Sequence, residues 1–178
     1  MRKFFFIKKF IIFIICFCFS TNLLAINIAT INIAHILEKS VSYNNFLDEL
    51  STKKSELQKT LNIKDKDLEI LKQEIDNSKL IISDQELNIM IANYNDQVKL
   101  LDQEVKNINL FFSKNIEINK NIIIKQIISY IENISTKSDI DIILTEDQYF
   151  MSSKKIDISN EIINLINDNI ILLEIINE

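Results

Sequence analysis

Residues 87–112 read LNIMIANYNDQVKLLDQEVKNINLFF, and the apolar residues in this stretch return every three or four positions. Leu87, Ile91, Tyr94, Val98, Leu101, Val105, Ile108 and Phe112 fill every a and d position of a seven-residue repeat. A stripe this narrow is the seam of a coiled coil, because only one edge of each helix turns toward its partner. The partner lies upstream. Leu47, Leu50, Leu57, Leu61, Leu68, Leu71 and Ile75 follow the same repeat, with Lys54 and Lys64 as lapses. The polar break Asp76-Asn77-Ser78 separates the two stretches. They predict an antiparallel hairpin arm over 43–114 with its tip at 77–83. Ser83 and Glu86 form a capping box that starts the second helix. At a rise of about 1.5 Å per residue the first helix, Tyr43 to Asp76, extends roughly 50 Å. The second continues to near Lys137, roughly 80 Å, so its last third runs past the base of the arm.

That last third predicts a body. From Asn115 the seam gives way to denser isoleucines, among them Ile116, Ile118, Ile122, Ile123, Ile127 and Ile131. A helix apolar on more than one side is buried on more than one side. Segments 26–42 and 115–178 are therefore expected to form the body. Residues 28–33 alternate as a strand, with Ala29, Ile31 and Ile33 on one face. A second strand is expected over 140–145, where Ile140, Ile142 and Leu144 share a face. A third follows over 148–152, after a tight turn at Glu146-Asp147. A terminal helix starts at about Ser159, its expected N-cap, with Ile158 stapled onto Ile163. Three short strands and one small helix bury too little apolar surface to stand alone. Self-association is expected to supply the rest, strands of separate protomers closing one small barrel around Ile31, Ile33, Ile140, Ile142 and Leu144. The fold class is α+β: a long helical coiled-coil hairpin projecting from a small β-strand body.

Met1 to Ala25 reads as a cleavable secretory signal peptide. Arg2, Lys3, Lys8 and Lys9 give a positive start, Phe10 to Phe19 is an apolar run, and Leu23-Leu24-Ala25 ends on a small residue. The apolar run is about half the roughly 20 residues that a membrane span needs. Cys16 and Cys18 both lie in this leader, so the mature chain has no thiol for a disulfide, a metal or a nucleophile. His35 is the single histidine, and no base or nucleophile pattern accompanies it. The chain has no glycine and no proline, which excludes glycine-rich phosphate loops. Neither catalysis, cofactor nor metal is expected. Without the leader, 16 Lys+Arg face 25 Asp+Glu, a formal charge near −9. A chain of that charge does not attract nucleic acid.

The order of elements resembles the Skp/OmpH family of periplasmic chaperones. The likeness rests on Asp139-Ile140-Asp141-Ile142-Ile143-Leu144-Thr145, on Tyr149-Phe150-Met151, and on Ile156-Asp157-Ile158-Ser159. Ile28 to Glu38 is similar to that family's first strand and following turn, with Asn32 where Asp or Asn is usual. The resemblance implies a homotrimer: a small barrel carrying three tentacles around a cavity. It also implies a periplasmic holdase that works without ATP and shields unfolded outer-membrane β-barrel proteins. The alternative on sequence grounds is a structural coiled-coil protein, an envelope spacer or an export-conduit subunit. Well-studied members are basic whereas this mature chain is acidic, so no lipopolysaccharide or membrane-lipid site is carried over.

Client contacts are expected at apolar hairpin positions off the seam, Ile89 and Leu110, and at Leu80, Ile81 and Ile82. Three consecutive apolar residues at the end of a thin arm cannot all be buried inside it. The apolar tail 170–176 is open to two readings, a continuation of the last helix packed on the body or a further contact surface.

Overall fold

The computed structural model describes residues 26–177, so the leader expected at Met1–Ala25 lies outside the described residues. The chain forms β1 (Ile28–Ile31), α1 (Ile33–Lys39), α2 (Val41–Ser78), α3 (Asp84–Ser138), β2 (Ile142–Thr145) and α4 (Ser159–Asp168). Helices α2 and α3, of 38 and 55 residues, make the arm. Their lengths correspond to roughly 57 and 82 Å.

The arm is closed along the stripe read from the sequence. On α2, Leu50, Leu61, Leu68 and Ile75 are buried. On α3 the seam residues from Leu87 to Ile108 are half-buried apart from Val105, which is exposed, and Phe112 is buried. Two helices can cover only one edge of each other, so a seam of this kind stays thin. Of the two lapses, Lys64 is answered across the arm by Glu104, whose carboxylate oxygens lie 2.7 and 2.5 Å from its Nζ. Past the tip, Ser83 Oγ accepts from the Glu86 amide (3.3 Å) and the Glu86 carboxylate accepts from the Ser83 amide (3.1 Å). The capping box is thus reciprocal and α3 starts at the expected place.

The body forms around β1. Its partner β2 runs parallel, Ile28 opposite Ile142 and Ile31 opposite Thr145, with the whole hairpin as the crossover between them. The other edge of β1 is taken by residues 156–158. The Thr30 amide donates to the Ile156 carbonyl (2.8 Å) and the Ile158 amide to the Thr30 carbonyl (3.0 Å). Ala29, Thr30 and Ile31 are consequently all buried, and β1 lacks the alternation of a half-exposed strand. Ile31, Ile36, Phe46, Ile123, Ile127, Ile162 and Ile166 form the centre of the core.

Four sequence expectations are corrected here. The first strand ends at Ile31, because the Asn32 side chain accepts from the His35 amide (2.7 Å) and caps a helix instead. Ile33 therefore opens α1. The second strand begins at Ile142 rather than 140. Asp139, at φ 53°, ends α3 in the left-handed conformation, which Asp tolerates where no glycine is on hand. Ile140 is left half-buried under that turn. No strand forms over 148–152. Gln148 folds back on Thr145, its amide donating to the Thr145 carbonyl (2.9 Å) and its side chain accepting from the Thr145 amide (3.0 Å). The chain then crosses over to reach the far edge of β1, leaving Phe150 and Met151 exposed. Finally, Ile158 and not Ser159 is the N-cap of α4. The Ser159 hydroxyl is already committed to accepting from the Asn32 amide (2.8 Å).

Glu146 ties β2 to the start of α1, its carboxylate accepting from the Ile33 and Ala34 amides at 3.0 Å each. Burial works against its charge, yet the amides of Ala34, of Glu146 itself and of Ile33 hold the carboxyl below its usual range. A lowered folded-state pKa means that the unfolded chain takes up the proton first. The contribution is full above the unfolded value and is lost as pH falls through the folded one. Glu146→Gln should therefore cost about 1 kcal/mol at pH 7. Urea titrations should show that the difference from wild type persists at neutral pH and closes only in acid, below the ordinary glutamate range.

Candidate functional site

Among the described residues no group of His, Asp and Glu side chains is placed to hold a metal. No helix among them is long and apolar enough to cross a membrane. His35 lies on α1 with Glu38 beside it at 3.6 Å, an exposed pair one helical turn apart. The features that remain are apolar surface and the groove at the base of the arm.

The tip carries the most exposed apolar residues of the arm. Leu80 and Ile81 are 97% and 82% exposed, while Ile82 is half-buried and closes the end of the seam. The geometry follows from the chain reversal. Lys79 ends α2, Ser83 caps α3, and the Ile81 and Ile82 amides both donate to the Ser78 carbonyl. Only one of the three apolar side chains can point back between the helices. Ile89 and Leu110 stand exposed on α3, as do Ile63 and Ile70 seven residues apart on α2. The tip and the flank are far apart along the arm, so they form a distributed surface and no single pocket.

The residues expected in a shared barrel core divide into two groups. Ile31 is buried within the chain itself, whereas Ile142 is exposed. Ile33, Ile140 and Leu144 are half-buried.

At the base of the arm the structure brings together residues that sequence reading passed over. Helix α4 stops at Asp168, and the tail runs on without helical structure, lying against the hairpin instead of lengthening the helix. Asn115 and Asn119, 2% and 1% exposed, receive it. The Ile176 amide donates to Asn115 Oδ1 (2.8 Å), and Asn115 Nδ2 donates to the Ile176 carbonyl (3.2 Å). Asn119 Nδ2 donates to the Glu174 carbonyl (3.1 Å), and the Ile171 amide donates to Ser42 Oγ (3.0 Å). A signal for this site does exist in the sequence. Counting on from Ile108 and Phe112, Asn115 and Asn119 hold the next two seam positions. Two consecutive amides there are costly against an apolar helix, and they require a partner with free backbone groups.

The fold matches known proteins. A family model described as "Outer membrane protein (OmpH-like)" matches residues 27–166. The chain belongs to the OmpH-like family. A crystal structure from Caulobacter crescentus CB15, of a protein described as an outer membrane chaperone (OmpH-like), aligns with a TM-score of 0.73. That alignment is at 10% identity and covers 85% of this chain and 89% of that one. Among curated proteins no sequence match is found. The family match takes in both helices of the arm of this OmpH-like chain and most of its body, and it stops before the tail.

Substitutions at the two surfaces should separate contact residues from structural ones. Replacing Leu80 and Ile81 together by Ser should change unfolding free energy by less than about 0.5 kcal/mol, since nothing packs on them. Asn119→Ala should cost about 1–3 kcal/mol by leaving main-chain carbonyls unpaired. Urea denaturation followed by far-UV circular dichroism reads both.

Proposed function

We propose that this OmpH-like chain is a periplasmic, ATP-independent holdase that keeps unfolded outer-membrane β-barrel proteins from aggregating, and that it acts as a homotrimer. The observation carrying this reading is a thin two-helix arm whose tip and flanks keep large apolar side chains in water. Exposed apolar side chains spread along a thin lever suit many weak contacts, each quickly reversed. Unfolded β-barrel chains present the complementary surface, apolar segments and unpaired strand edges. The leader supports export, and the absence of any glycine-rich phosphate loop supports action without nucleotide.

The trimer is supported by the economy of the body. Only two named strands are present among the described residues, and Ile142 on β2 is exposed in the single chain. Ile142→Asp should thus leave the helices folded while lowering the mass measured by light scattering from trimer to monomer. A native chain that stays monomeric at micromolar concentration would count against the trimer.

Holding is tested with an unfolded β-barrel protein diluted from urea, its aggregation followed by turbidity without nucleotide. Protection should saturate near one trimer per small client. Removing 61–74 and 88–101 together shortens both helices by two heptads and keeps the seam in phase. The shortened protein should remain trimeric and lose most of its protection of large clients. Equal protection by the shortened form would show that the arms are not the holding surface.

A further inference from the structure

The tail is docked in the manner of a β-strand, on a helix. Leu173 is buried and Ile171 and Ile175 are half-buried against the core, whereas Ile170 and Leu172 stand in solvent. Apolar residues thus face inward at every second position, the pattern of an extended strand. The two amide anchors fit that period. Asn115 and Asn119 are one helical turn apart, about 6 Å at the rise of an α-helix. Ile176 and Glu174, the residues they hold, are two strand positions apart, about 6.7 Å. A helix with amides at i and i+4 can therefore grip the backbone of an extended peptide at alternate residues. Because higher positions on α3 meet lower positions on the tail, the tail runs antiparallel to α3, toward the tip.

Every hydrogen bond just described reaches the tail through its main chain. None uses a tail side chain. Any extended segment with apolar residues at alternate positions satisfies the same donors and acceptors. The groove also outlasts its occupant. Beside the end of the tail, clefts of about 330 and 480 Å³ share Asn107 and Phe111 in their walls; Ile176 of the tail lines the first and Asn177 the second, which continues along the arm to Lys53 and Leu100. Leu110, exposed on the flank, lines the first of them, and Leu57 and Leu100 line the second.

We propose that this groove is a binding site for extended polypeptide with period-two apolar residues, and that residues 170–177 are its resident, displaceable occupant. The assignment rests on the holdase reading for the identity of the ligand, an unfolded β-strand segment of a client. It places Asn115, Asn119 and Ser42 as backbone-reading residues and Leu173 as the side chain that keeps the tail seated.

The test uses the full mature chain and a fluorescein-labelled synthetic peptide with the sequence of residues 169–178. Wild type should bind this probe weakly in anisotropy titrations, because its own tail competes. Leu173→Asp unseats the tail and should bind the probe at least tenfold more tightly. Adding Asn115→Ala and Asn119→Ala to that variant should remove the gain. So should a probe with the same composition but its apolar residues clustered. An alternating Val/Thr peptide of unrelated sequence should bind with the gain intact. Should Leu173→Asp fail to fold, hydrogen exchange on wild type gives a second reading. The Ile171 and Ile176 amides should lose protection when client is added, while those of Ile123 and Ile127 stay protected. No tightening in a folded Leu173→Asp, or tail protection unchanged by client, overturns the proposal. Tail protection that depends on protein concentration and not on client overturns it too, assigning the groove to the tail of a second copy. If probe binding tightens but aggregation is not suppressed, the groove stands and the holdase reading fails. Suppression with an undisturbed tail removes the groove alone.

Discussion

The body is organised by the width of the apolar surface on the lower third of α3. Along the arm one partner helix covers a single edge, and one edge is all that the sequence makes apolar. Below Phe112 the isoleucines spread around the helix, and α2 cannot cover them alone. Ile123 and Ile127 are fully buried in a core to which α1, α2, α4 and the tail also contribute. Each of these covers needs its own attachment. α1 is held by Asn32 and Glu146, α4 by the link between Ser159 and Asn32, and the tail by Asn115 and Asn119. The single continuous helix α3 thus couples the tip of the arm to the body, and the polar side chains at its base decide how the body closes.

The chain accomplishes this without glycine or proline. Asp139 takes the left-handed position that ends α3, a place where glycine is the usual residue. Its carbonyl accepts from Asn27 Nδ2 (2.8 Å), and the Asn27 amide donates to the Asp141 carboxylate (2.8 Å). The conformational cost of a side chain at positive φ is offset by tying the same turn to the start of β1. The asparagines that crowd this sequence are therefore not interchangeable surface. Asn32, Asn115 and Asn119 fix main-chain groups in a partly buried setting, and Asn27 fixes one at the surface.

The arm and its capping box were legible in the sequence because a heptad pattern is local and repeats many times. The body segments were legible in their order and much less so in their boundaries. Strand length there depends on hydrogen bonds between distant parts of the chain. Alternation alone extends the first strand through Ile33, but Asn32 and Glu146 turn that residue into a helix start. Gln148 to Met151 reads as a strand in the sequence, yet the free edge of β1 is claimed by residues 156–158 instead. The exposed positions Leu80, Ile81, Ile89 and Leu110 followed from the width of a two-helix seam. Asn115 and Asn119 were passed over for a different reason. In a composition rich in asparagine each one carries little weight, and only their joint placement in the seam phase sets them apart.

If the groove takes client main chain as proposed, the resident tail bears on how a holdase of this shape would release its client. A tail tethered to its own site is present at an effective concentration in the millimolar range. A lone peptide segment in solution is far more dilute and loses that competition even with equal intrinsic affinity. A long unfolded chain does not, because contacts along the exposed arm hold it nearby and raise the local concentration of all its segments. Occupancy of the groove then depends on engagement of the arm. When a client folds, its segments withdraw their main-chain groups into a sheet of their own. The arm contacts weaken together, and the tail returns to Asn115 and Asn119. Under the proposed function, release on these terms would draw on the folding free energy of the client and need no nucleotide, with the base and the apolar arm serving as two halves of one binding surface.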